Sequence, residues 1–122
     1  MNKKYVLKHS YDIEDTLKAR QSVGSKNYIL YYKKNNLDKS LIAISVSKKI
    51  GNAVVRNYQK RVTREIVREI INQIPGYNML LVIKINSVPL SFEEKREQIN
   101  YVIEKFIKKE LLKWTKTKRF LY

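Results

Sequence analysis

Between Lys39 and Arg64 the chain carries Lys39, Lys48, Lys49, Arg56, Lys60, Arg61 and Arg64 and no acidic residue. Such side chains bind anions. The arginine guanidinium is a planar fork that meets two phosphate oxygens at once, and a neighbouring amide such as Asn57 can donate to a phosphate or to a base edge. Arg56, Lys60, Arg64 and Arg68 follow one another at four-residue intervals, with no carboxylate before Glu65. On a helix these like-charge pairs repel, at about 0.2–0.5 kcal/mol each. A solvated helix face usually mixes signs, so a one-signed face points to phosphate. Lys48 and Lys49 extend the patch toward the helix N-terminus, where backbone N–H groups also attract anions.

Residues that could cleave a bond unaided are scarce. A nuclease must activate water or hold metal, with clustered carboxylates or histidines at ligand spacing. His9 is the only histidine and sits in a basic, exposed start. Glu65 and Glu69 lie one helical turn apart and read as surface ion-pair partners of Arg61, Arg64 or Arg68. Glu93, Glu94 and Glu97 are accounted for by the start of a helix. No catalytic residue and no metal ligand is expected in the chain itself.

The bulk properties agree. Lysine and arginine total 26 against 11 acidic residues, a formal net charge of +15 over 122 residues. A single compact domain carries that self-repulsion best when a polyanion offsets it, and nucleic acid fits better than a small metabolite or a membrane surface. Cysteine is absent, so disulfides and thiolate chemistry are excluded. The start is too poor in apolar residues for a signal peptide, and the longest apolar run, 79–83, is too short to span a bilayer. A soluble, cytoplasmic protein without membrane contact is expected.

The elements that must position the patch follow from periodicity. Ser10 or Asp12 can cap a short helix reaching about Ala19, with Ile13 and Leu17 on its apolar side. Residues 26–33 alternate as a strand, Tyr28, Leu30 and Tyr32 on one face, Ile29 and Tyr31 on the other. Asn35, Asn36 and Asp38 make a turn. In a strand over 41–47, Ile42, Ile44 and Val46 form a core face, while small Ala43, Ser45 and Ser47 leave room for something to lie across the sheet. Asn52 caps a long helix over 53–73, closed by Pro75 and Gly76. At 100° per residue Asn57, Lys60, Arg61, Arg64 and Arg68 gather outward, and Val55, Tyr58, Val62 and Ile66 inward. A strand over 78–85 is apolar on both faces. Ser91 and Glu94 form a capping box for a last helix with a stripe of Ile99, Val102, Ile103, Phe106 and Trp114. Its early turns hold Glu93, Glu94 and Glu97 and its last turns Lys108, Lys109 and Lys113, as the helix dipole favours. The coarse order, helix, two or more strands, long helix, strand, helix, expected as αβββαβα, is an α+β, two-layer sandwich.

The stretch SVSKKIGNAVVRNYQKRVTRE over 45–65 resembles the signature of the ribonuclease P protein subunit family, R-N-R-x-K-R-x-x-R after K-x-G-N-A. The flanking short basic start, aromatic strand and final amphipathic helix are similar to that family too. The resemblance implies a ribosomal protein S5 domain 2-like fold with a left-handed βαβ crossover, an exception to the usual hand. It also implies a partner, the catalytic RNA of bacterial ribonuclease P, which does the chemistry with Mg2+, and a substrate, precursor tRNA, whose 5′ leader is removed. One protein per RNA is expected.

Carried onto this sequence, the resemblance maps the RNA-binding helix onto Arg56, Asn57, Lys60, Arg61 and Arg64; with Lys48, Lys49, Asn52 and Arg68 beside them these make the expected RNA-binding set. The leader-binding cleft, between first helix and sheet, is Ile13, Leu17, Ser22, Tyr28, Tyr31, Ser47, Lys49 and, at its margin, Arg56. Two positions depart from the family. Tyr58 replaces the second arginine of R-N-R and is expected to pack partly inward; Ile13 and Leu17 stand where aromatics are frequent, which removes two stacking surfaces. Strand neighbours point oppositely, so Tyr28 and Tyr31 cannot both line the cleft without a bulge; Tyr31 is the expected one. Two other readings remain open, a ribosomal or general RNA-binding protein and an independent metal-dependent nuclease.

Overall fold

The computed structural model describes the backbone of residues 3–120 and the side chains of residues 3–110. Its elements are α1 (Ser10–Lys18), β1 (Ser22–Gly24), β2 (Tyr28–Lys34), β3 (Leu41–Val46), α2 (Ala53–Arg68), β4 (Tyr77–Ile83) and α3 (Phe92–Phe120). This is the expected order, helix, three strands, helix, strand, helix. The four strands form one sheet in the order β1-β2-β4-β3, antiparallel except for the β3–β4 pair. β3 and β4 are parallel neighbours joined through α2, a βαβ unit inside an otherwise antiparallel sheet.

Period-two alternation divides the sheet into two unlike faces. Tyr28, Leu30, Tyr32, Ile42, Met79, Leu81 and Ile83 are buried in one core with Val62, Ile66 and Val67 of α2 and Ile99, Val102, Ile103 and Phe106 of α3. Tyr32, Tyr77 and Phe106 meet edge to face, with ring centroids 4.9–6.1 Å apart, a geometry that aromatic quadrupoles favour. The opposite face carries the row Ser22, Tyr31, Leu80 and Ala43, in register across all four strands. α1 lies over part of it, with Thr16 fully buried and Asp15 paired to Lys33.

Several ends differ from the expected ones. α1 starts at Ser10 with His9 in the cap position, and neither Ser10 nor Asp12 caps it. Asn52 caps α2 as expected, its Oδ1 accepting from Val55 N–H at 3.0 Å, but the helix stops at Arg68 instead of residue 73. Ile71 follows Arg64 by seven residues, so an unbroken helix would place it on the cationic face. A short 3-10 turn, Ile71–Gln73, instead lets Ile71 and Ile74 enter the core. β4 ends at Ile83 rather than 85, and Ile85 is exposed. The capping box is formed, with Ser91 Oγ accepting from Glu94 N–H at 3.1 Å and Glu94 Oε1 from Ser91 N–H at 3.0 Å. Lys113 and Trp114 lie outside the described side chains.

Candidate nucleic-acid interface

α2 is aimed by a local turn and cap at its start and by packing along its buried side. Ser47 Oγ accepts from Lys49 N–H at 3.2 Å and holds a 3-10 turn, Lys48–Ile50, that presents Lys48 and Lys49 to solvent. A Cβ on Gly51 would stand 3.0 Å from Cβ of Val55, so a glycine lets the chain double back tightly into the helix. Asn52 then spends its carboxamide oxygen on the cap. Buried Gln59, Val62, Thr63, Ile66 and Val67 seat α2 against the sheet and α3, which fixes the direction of every other side chain on it.

The outward face holds Asn57, Arg61, Arg64 and Arg68, all exposed, with half-buried Arg56 and Lys60 along one flank. Among the described residues none of Arg56, Lys60, Arg61, Arg64 and Arg68 is in an ion pair; the pairs formed are Lys33 with Asp15 and Arg96 with Glu69 and Glu93. Glu69 therefore does not serve the cationic ridge as expected. It turns to α3, where Arg96 donates to it at 3.0 Å. The ridge keeps its charge, arranged for a polyanion rather than for the chain's own carboxylates.

Tyr58 corrects the sequence reading. It does not pack inward but is 48% exposed on the ridge, with the Arg61 guanidinium 5.6 Å from its ring centroid. Gln59 takes the inward place, and Val55 is only half-buried. A spacing of Val54, Tyr58 and Arg61, at i, i+4 and i+7, was the available signal that all three share one face.

The cleft residues fall into two groups on the α1 face of the sheet. Ser22 and Tyr31 are register partners, and half-buried Ile13 and exposed Leu17 stand on α1 near them. Ser47 and Lys49 lie further along, in an open hollow shared with Lys26, Val82 and Lys84. The strip between them steps by twos through half-buried Ile29, Val82 and Ser45, which are register partners. Small Ala43 and Ser45 keep that strip shallow. Arg64 joins strip and ridge, because it lines a hollow with Ile13 and Ala43 as well as one on α2 with Asn57 and Tyr58. Tyr28 is the exception. It is wholly buried on the other face, where burial pushes its hydroxyl up to about 12, so it is a core residue and cannot touch a ligand in the cleft. Lys26 and Lys84 escaped sequence reasoning because distant turns supply them; Lys84 is pinned by donating to Ser25 O at 2.9 Å.

The family model described as Ribonuclease P matches residues 1–107. The chain belongs to the ribonuclease P protein family. The ribonuclease P protein component of Mycoplasma mobile is 34% identical over 105 residues, covering 86% of this chain and 92% of the relative. That of Mycoplasmopsis pulmonis is 33% identical over 107 residues, covering 87% and 95%. Among solved structures, the RNase P protein of Staphylococcus aureus superposes with a TM-score of 0.76 at 27% identity, covering 82% of this chain and 93% of that one. The RNase P protein of Thermotoga maritima gives 0.71 at 26% identity, covering 80% and 94%. The family signature and the un-neutralised ridge thus fall on the same helix. No helix among the described residues is long and apolar enough to cross a membrane.

Proposed function

We propose that this chain binds the catalytic RNA of ribonuclease P through the α2 ridge and the 5′ leader of precursor tRNA through the strip beneath α1. Cationic side chains screen the repulsion between two RNAs, and the strip adds contacts that precursor has and product lacks. Bond cleavage stays with the RNA. The observation that carries this reading is the row of arginines on α2 that the protein's own carboxylates leave unpaired.

Magnesium ions, in this reading, are held by RNA oxygens. A hard cation takes oxygen ligands, whereas the described residues hold no cluster of three or more acidic or histidine side chains and the positively charged ridge repels a metal ion. The chain's part is to bind, orient and screen, one protein per RNA, in the cytoplasm.

The test is cleavage of precursor tRNA at modest magnesium by the protein alone, the RNA subunit alone and the mixture. Cleavage restricted to the mixture is expected. Activity of the protein alone would make it an independent nuclease; no gain on adding protein would leave a general RNA-binding protein.

A further inference from the structure

Tyr58 stands where the family signature has an arginine, and its surroundings are unlike a plain phosphate site. Val54 is 76% exposed and Tyr58 48%, and the two share a hollow on the outer face of α2 with Asn57, Arg61 and Arg64. Single exposed apolar residues are ordinary on a protein surface. Here, though, an aliphatic and an aromatic group sit side by side in the middle of a cationic ridge, ringed by fork-shaped donors and one carboxamide.

This mixture matches the parts of one nucleotide. A bare phosphate would use Arg61 and Arg64 and leave the Val54 methyls and the Tyr58 ring wet. A protein partner would have to bring carboxylates for both arginines. An unpaired nucleotide meets every group, because each base has a flat π-face that stacks on an aromatic ring whatever its sequence, its phosphate faces the guanidinium forks, and its edge lies within reach of an amide. Arg61 over the ring, 5.6 Å from its centroid, holds one cation beside the stacking surface.

We infer that Tyr58, with Val54 beside it, is a stacking shelf for one unpaired nucleobase of the RNA that α2 binds, in place of the phosphate contact that arginine would make there. This rests on the proposed RNA-binding function of α2. A stacking contact and a phosphate contact differ in a measurable way: losing a phosphate contact flattens the dependence of log affinity on log salt by about one, while losing a stack lowers affinity at every salt concentration and leaves the slope alone.

The experiment measures affinity of the full chain for in vitro transcribed ribonuclease P RNA at several salt concentrations. Tyr58→Phe should bind within about twofold of the wild type. Tyr58→Leu, which keeps apolar bulk beside Arg61 and removes the ring, should bind about five- to hundredfold more weakly with the slope unchanged. Tyr58→Arg should steepen the slope by about one. Wild-type affinity in Tyr58→Leu, or a loss that comes through a flatter slope, would overturn the shelf while leaving RNA binding by α2 intact. Failure of the wild-type chain to bind this RNA even at low salt would instead overturn the function on which the shelf depends. Because the ring is exposed, the thermal midpoint of Tyr58→Leu should match the wild type. Should it fall, the contrast between Tyr58→Phe and Tyr58→Arg decides, equal slopes in those two counting against the shelf.

Discussion

α2 and α3 lie against the same face of the sheet and bury similar stripes, Val62, Ile66 and Val67 on one, Ile99, Val102 and Phe106 on the other. Their outer surfaces are built differently. The first turns of α3 mix signs, with Arg96 against Glu69 and Glu93 and Glu94 closing a capping box. Further along, Lys105 donates to Gly24 O at 2.9 Å. The exposed arginines of α2 have no such carboxylate among the described residues. Arg96 and Lys105 of α3 are thus paired or spent on the backbone, whereas the arginines of α2, left alone against their mutual repulsion, are available to a polyanion. Of the two carboxylates at the end of α2, Glu69 is drawn off by α3, and Glu65 forms no ion pair among the described residues.

The comparison can be broken in order of expected effect. Phe106→Ala should cost about 3–5 kcal/mol, because the ring sits between Tyr32 and Tyr77 in the core both helices share; denaturant unfolding would show it, and a loss under about 1 kcal/mol would contradict the shared core. Arg61→Ala should weaken binding of ribonuclease P RNA by about 1.5 kcal/mol with an unchanged thermal midpoint. Asn52→Ala should cost about 1 kcal/mol of stability and fray the start of α2. Arg96→Ala, the control on the mixed-sign helix, should cost at most about 0.5 kcal/mol and leave RNA affinity untouched.

The smallest effect is one of pH. The Ser91 backbone N–H, the largest cause, and the Ser91 side chain hold the Glu94 carboxyl below its ordinary value of 4.5. A carboxylate depressed in the folded state stabilises fully above that ordinary value, and the contribution disappears as pH falls through the depressed one. Melting between about pH 6 and pH 3 should show a small acid-side loss. Glu94→Gln keeps a capping group and should remove this part of it.

Much of the fold was legible because each pattern had one dominant cause. Alternation put Tyr28, Leu30 and Tyr32 together on one face, which the fold makes the core side, and Asn52 and the Ser91–Glu94 pair marked two helix starts. What failed was decided by packing at a distance. The stop of α2 at Arg68 depends on Ile71 and Ile74 finding the core, which helical periodicity alone does not register. β1 is three residues long, too short for alternation to mark, and exists because Ser22, Val23 and Gly24 pair with β2. On the site, the ridge could be read from charge alone, since no acidic residue falls between Lys39 and Arg64. Tyr58 was misplaced because an apolar residue at helical spacing normally seeks the core, and here Gln59 has that place. The resemblance supplied Ser22, Ser47 and Lys49 for the cleft; Lys26 and Lys84 reach the same hollow only through the tertiary fold.

The most direct test of the ridge compares the salt dependence of ribonuclease P RNA binding in the wild type with that in Arg61→Ala/Arg64→Ala. The account predicts a plot of log affinity against log salt flatter by about two, with the folded protein equally stable. Parallel plots for the two proteins would contradict it, since the un-neutralised arginines of α2 would then face no phosphate.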